Sequence, residues 1–475
     1  MRKTFLYILI IGVSFGCGKN FLDRQPTNFA SRTDAYSSIQ AIQSALTGCY
    51  SNLKDYRYYG RNFYLFTEVY TDNAKLSSTN TGNFSSFYNY SVISNTPELD
   101  QFWKLGYKII ARTNNIIDAL TSLKNTPYTQ KRQLLGEAYS IRALVYFDLV
   151  RIFAQAYTIS TGVEFANGHG GHIGIPVIIN ATYQDSLILP QRQSVDSVYK
   201  IILNDFNKAD TMLSTQNADS YTFSSSAVEA LLSRVYLSMG NYNMPLGLSY
   251  NLIKSNQFHL IENTKYKASW GLSTNEESIL SLSITLNNNN GQNAIGYMLS
   301  KSGYGDIVVS KDLYSLYTET DVRKQLYQKE NDIFCLKYPG QLSVLGIDNI
   351  PIIRYSEIYF NYIESVLLKT NCSALGIRIV LPYLDTLMKR SDKNAIIPPN
   401  LSGVDFYKLV LNERRKEFAF EGQRYFEIKR LQTTINRIDC NSQICTITYP
   451  NYLFAMPIPI SEINANKNMK QNPGY

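Results

Sequence analysis

The densest run of reactive side chains is ERRKEFAFEGQRYFEIKR, residues 413–430, with Glu413, Arg414, Arg415, Glu417, Glu421 and Arg424 close together. Two carboxylates flanking a glycosidic bond could share general acid and base work, which is one route to a surface hydrolase. Helical spacing offers a simpler account. Arg414 with Glu417, and Glu421 with Arg424, stand three apart and can pair along a helix. Asp148 and Arg151 repeat that spacing near Arg142. With nothing to complete a catalytic set, these charges are expected to serve the scaffold and the chain to be no enzyme.

GHGGHIGIP places His169 and His172 three apart, but its glycines disfavour the helix that would align them, and no third ligand is evident. A turn is expected there, with no metal and no cofactor; His259 stands alone. Nucleophile-elbow, zincin and phosphate-loop motifs do not occur.

Cysteine placement is more informative. Arg2 and Lys3, the apolar run Phe5 to Val13, and Ser14-Phe15-Gly16 before Cys17 form the three parts of an export signal, residues 1–16. The apolar run is far shorter than the roughly 20 residues of a membrane-spanning helix. Cleavage before Cys17 would leave its thiol for a lipid, and multiple acyl chains anchor stably where one does not. Loss of Arg2 and Lys3 takes the formal charge from +8 to +6, spread without a basic block, so nucleic acid is not an expected partner. Cys49, Cys335 and Cys372 lie far apart, whereas Cys440 and Cys445 in CNSQIC could close a hairpin loop, a pairing that spacing alone does not fix.

These residues need elements to position them, and most of the chain reads as helix. The stretch from Ser31 to Leu53 opens with N-cap residues and continues with Ile39, Ile42 and Leu46 at helical spacing. Residues 102–120, 136–157 and 194–213 follow suit, the second apolar on nearly every side and so expected between other helices. Residues 224–253 resemble a tetratricopeptide-type helix pair turning at MGNY, and 351–370 with 374–390 form another candidate pair before the long helical stretch 404–431. Trp103 and Trp270 read as core.

Two polar-aromatic insertions interrupt the helices, at 55–100 and roughly 262–350. Long loops of this kind are usually functional. Aromatic faces among amides, guanidinium groups and hydroxyls suit sugar rings, and peptides could use the same groups. The candidates are Tyr58, Tyr59, Arg61, Tyr70, Asn73, Phe84, Phe87, Tyr88 and Tyr90 in the first insertion, and Tyr297 and Tyr304 in the second.

Several stretches in order resemble the SusD/RagB family of nutrient-binding outer-membrane lipoproteins: FLDRQP behind Cys17, GEAYSIRALVYFDLVRIF, GIPVI, PIIRYSEIYFNYIES, NERRKEFAFEGQRYFEIKRL and the closing NPGY. The resemblance implies a mainly α fold with four tetratricopeptide-like helix pairs and a loop-rich ligand-binding part. It also implies one domain over 17–475, divided near residue 225, held at the cell surface on the outer membrane by the Cys17 lipid. Its partner would be a SusC-like TonB-dependent transporter, to which captured oligosaccharide, or alternatively peptide, is delivered. A scaffold binding only other proteins is a further reading.

Overall fold

The computed structural model describes residues 35–475 apart from 125–126, 182–187 and 216–218. The leader, Cys17, FLDRQP and the N-cap residues Ser31 to Asp34 lie outside the described residues.

Helices dominate, at about 51% of the chain. In chain order the principal ones are α1 (Ile39–Lys54), α2 (Asn62–Val69), α3 (Pro97–Ser122), α4 (Tyr128–Phe153), α5 (Val195–Met212), α6 (Ser225–Ser238), α7 (Asn243–Lys254), α8 (Ile295–Leu299), α9 (Tyr355–Lys369), α10 (Ala374–Ser391), α11 (Gly403–Phe418) and α12 (Arg424–Arg430). Side-chain caps fix several starts: Ser38, Ser194, Ser224, Ser373 and Ser402 each accept from a backbone N–H in the first turn. From α3 to α11 the long helices pack in a running series, α3 on α4, α4 on α5, α5 on α6, α6 on α7, α7 on α9, α9 on α10 and α10 on α11. That is the expected mainly α architecture of stacked helix pairs. As expected, α4 is enclosed along its last five turns, from Leu134 to Phe153.

Short antiparallel strand pairs tie the insertions to this stack. Ala74–Leu76 (β1) pairs with Ile307–Val309, and Ser278–Leu282 with Ile350–Arg354. The latter is the PIIR stretch, expected as helix: its apolar run is a buried strand feeding directly into α9. GIPVI begins with the strand Ile173–Pro176, paired with Arg192–Ser194. Cys440 and Cys445 form a disulfide across the turn joining the paired strands Ile435–Asn436 and Thr446–Ile447.

The insertion 55–100 is not an open loop. It carries α2, a short helix Ser85–Tyr88 and β1, around rings that pack on one another: Phe66 on Phe87 at 5.4 Å, Tyr58 on Phe102 at 4.5 Å. Without long strands or helices to bury, the segment builds its core from aromatic mass.

The charges of residues 413–430 face inward, but in other partnerships than the i,i+3 pairs expected. Glu417 meets Arg390 (2.9 Å), Arg354 (3.1 Å) and Arg323 (3.4 Å). Arg414 turns to Glu427 (3.3 Å) and Glu357 (3.7 Å). Glu421 meets Lys337 and Arg354, and Arg424 meets Asp72. The reason is local: α11 ends at Phe418, Phe420 and Gly422 take positive φ, and Glu421 and Arg424 no longer share a helix. Asp148 and Arg151 do pair, at 2.7 Å, while Arg142 forks onto Asp205. Trp103 and Trp270 are both buried.

Candidate functional site

Two segments distant in sequence meet where α1 ends. Asn290 fastens them: its Oδ1 accepts from Tyr56 N (3.1 Å) and its Nδ2 donates to Lys54 O (2.8 Å). Ile295 N then donates to Gly60 O (3.1 Å), aligning α8 with the turn. Gly60 is required there, since a Cβ would lie 2.5 Å from Asn290 Nδ2 and against Lys54 O. Side chains from both segments converge on one surface.

Arg61 is its centre. The guanidinium lies 4.7 Å from the Tyr56 ring centroid and 5.6 Å from that of Phe84. Nε donates to Asn62 Oδ1 (2.9 Å) and Nη1 to Asn293 Oδ1 (3.2 Å). Burial lowers its pKa, opposed by the nearby Glu98 carboxylate. No carboxylate among the described residues forms an ion pair with it, so its charge is neutralised only at a distance. Alongside, Tyr304 is 41% exposed, its hydroxyl donating to Gln292 Oε1 (3.3 Å), and the half-buried Tyr297 ring stands 6.4 Å from it at 54°. A tilted aromatic pair and two exposed amides thus gather around a buried guanidinium.

Of the sequence candidates, Arg61, Tyr297 and Tyr304 are brought together. The remainder are interior, which revises the expectation that they face a ligand. Tyr58 and Tyr59 donate to Asp148 Oδ2 (3.1 and 2.6 Å). Tyr70 donates to Leu453 O, and Tyr90 to Tyr70 O. Asn73 bridges Glu68 and Arg415. Phe84 packs on Phe87, and Arg437 lies over the Tyr88 and Tyr90 rings at 4.5 and 4.2 Å. They hold the insertion's shape. Tyr56, Asn290, Gln292 and Asn293 lie in the same two polar-aromatic insertions but are not among the sequence candidates, because no local pattern marks them.

His172 is buried, with Nε2 3.2 Å from Gln155 O; burial depresses its pKa to about 4, so it stays neutral. His169 is exposed on the glycine turn. Among the described residues no group of three or more His, Cys, Asp or Glu could hold a metal, and no helix is long and apolar enough to cross a membrane. Clefts of about 280 Å³ flank Thr274–Glu276 and share no residue with the Arg61 surface; their walls lack a guanidinium, and their one aromatic is the half-buried Phe258.

Comparison with known proteins gives a consistent set of relatives. Residues 20–237 match a family described as starch-binding and associating with the outer membrane, and residues 345–475 match the SusD family. SusD-like protein P2 of Formosa agariphila is 21% identical across all of this chain and 99% of its own length. SusD-like protein P38 of the same organism is 27% identical over 55% of this chain, a stretch spanning about half (47%) of that relative. Among solved structures, a SusD superfamily protein from Bacteroides thetaiotaomicron superposes with a TM-score of 0.82 at 26% identity, covering 92% of this chain and 100% of its own. A provisionally assigned sugar-binding protein from Bacteroides vulgatus gives 0.82 at 27%, covering 92% and 98%.

Proposed function

The chain belongs to the SusD/RagB family of nutrient-binding proteins, and from that premise we propose that it captures oligosaccharide at the Arg61–Tyr304 surface and hands it to a SusC-like TonB-dependent transporter. The observation that carries this is the convergence of Tyr297, Tyr304, Arg61, Gln292 and Asn293 from two insertions. Aromatic faces take the apolar side of a pyranose, while guanidinium and amide groups bond its hydroxyls. The sugar-binding assignment of the Bacteroides vulgatus neighbour points the same way.

The role is binding without catalysis. Glu413, Glu417 and Glu421, which could have supplied acid and base, are at most 5% exposed and engaged by buried cations. The protein sits on the outer membrane, facing outward, through lipid on Cys17. A Cys17→Ala chain should leave the membrane fraction while still folding.

Calorimetric titration of the mature chain with malto-, xylo-, manno- and β-glucan oligosaccharides tests the reading. Tyr304→Ala should weaken binding by about 1–3 kcal/mol, the range of a well-placed aromatic contact, without shifting the melting temperature. Failure of every oligosaccharide with success of a peptide panel would replace the ligand class. Cleavage of a bound oligosaccharide would end the non-catalytic reading.

A further inference from the structure

One buried carboxylate lies directly behind this surface and is used by nothing described so far. Asp348 is 3% exposed. Its Oδ1 accepts from Gly340 N (2.6 Å), and the Gly346 amide also bonds the carboxylate, so one side chain closes both ends of the loop between them. Its Oδ2 has no hydrogen-bond partner although it is buried. A Cβ built on Gly296 would lie 2.9 Å from that Oδ2 and 2.9 Å from Tyr338 O, so the two oxygens face the same point on α8. At the other end of the loop, a Cβ on Gly346 would lie 3.1 Å from Ala294 Cβ and 3.2 Å from Tyr297 Cε2. The loop therefore rests on the helix that carries Tyr297.

The closed loop is not relaxed. Gly340 and Gly346 have φ of 83° and 88°, which glycine tolerates, but Leu342 at the tip has φ 53° with its side chain 88% exposed. An aliphatic residue in the left-handed region is unfavourable, so closure needs an opposing hold.

We propose that Asp348 is a positioning residue for the ligand surface: as a neutral carboxylic acid it latches the Gly340–Gly346 loop onto α8, one oxygen accepting from the two glycine amides and the other presenting its proton toward the Tyr338 carbonyl. This rests on the reading of the Arg61–Tyr304 surface as the binding site. Burial raises the Asp348 pKa to about 7, against the lowering effect of the two amides. On the elements around it, Tyr338 donates its hydroxyl to Phe420 O, its neighbour Lys337 pairs with Glu421, and Tyr297 lies on α8; no charged side chain contributes to its shift. Deprotonation leaves an uncompensated buried anion, and the latch loosens as pH rises.

The test is hydrogen–deuterium exchange of the mature chain over residues 291–300 and 338–348, corrected for intrinsic rates, at about pH 6 and pH 8.5. If the open loop titrates as an ordinary aspartate, linkage makes opening on the order of ten-fold more favourable at the higher pH. Asp348→Asn keeps the acceptor and supplies a permanent donor, so both segments should stay protected at both pH values. Asp348→Ala should leave them open at both. Equal protection of the parent chain at the two pH values would overturn the proposal, as would an Asn variant that opens like the Ala one. Oligosaccharide affinity should fall with pH in the parent and not in the Asn variant; a latch that opens while affinity stays constant would remove the positioning role. If no oligosaccharide binds at either pH, the proposed function fails while exchange still decides the latch.

Discussion

Replacing Glu417 by glutamine removes one charge and almost no volume from the most heavily charged part of the interior. Glu417 is 1% exposed, held by Arg390 at 2.9 Å, Arg354 at 3.1 Å and Arg323 at 3.4 Å, and it accepts from the Tyr266 hydroxyl at 3.2 Å. Around it Arg323, Lys337, Arg354, Arg390 and Lys416 are balanced by Asp321, Glu277, Glu413, Glu417 and Glu421. The substitution leaves this group with one uncompensated positive charge in a low-dielectric interior, a situation that costs about 3–5 kcal/mol when one partner of a buried pair is removed. With a urea slope of a few kcal/mol per molar for a chain of this size, the midpoint should fall by on the order of 1 M. Trp270 makes the measurement local, because its ring lies 4.5 Å from Lys337 Nζ and 5.3 Å from Arg354. Lys389→Gln, which breaks the exposed pair with Asp385, is the control and should not move the midpoint resolvably. A Glu417→Gln chain as stable as that control would refute the argument that these motif charges hold the fold together.

Other consequences separate scaffold from surface. Tyr59→Phe removes the 2.6 Å bond to Asp148 and should cost about 1–3 kcal/mol of stability in thermal or urea unfolding, with oligosaccharide affinity unchanged. Gly60→Ala drives a Cβ into Asn290 and Lys54, so titration calorimetry should show weaker binding as well as a lower melting temperature. Glu68 is fully buried, and burial raises its pKa to about 7 despite bonds from Asn73 and the Phe420 and Gly422 amides. The fold therefore binds its proton more tightly than the unfolded chain does. Its contribution to stability is complete below about pH 4.5, declines as pH rises and is lost above about pH 7. Glu68→Gln should flatten that part of the stability–pH curve, and an unchanged slope would count against it.

The helices were legible because apolar spacing and serine caps agree at Ser194, Ser224 and Ser373. PIIR was not, since a short apolar run has no period to distinguish a buried strand from the first turn of the helix it feeds. The aromatic insertion misled for a related reason. A tyrosine in an irregular segment carries no sign of which way it points, and Tyr58, Tyr59 and Tyr70 point inward because their hydroxyls find Asp148 and the Leu453 carbonyl there. Pairings such as Asn290 with Tyr56, or Arg61 with Asn293, join residues more than two hundred positions apart, and nothing local announces them.

The division of labour follows from where the bonding capacity is used. Residues 413–430, one of the stretches that carry the family resemblance, are committed inward: Arg414, Arg415, Glu417, Glu421 and Arg424 all have interior partners. Lys429 is likewise spent on the Arg151 and Ala154 carbonyls at the end of α4. A segment that legible therefore reports the fold and is silent about the ligand. Selectivity has to reside in groups whose capacity is still open, and these are the outward-facing Tyr304, Gln292 and Asn293 around Arg61. Their placement depends on Asn290 and on the packing of α8 rather than on any helix of the stack. Changes at Tyr304, Gln292 and Asn293 should redirect binding with little effect on folding, whereas changes in residues 413–430 should do the reverse.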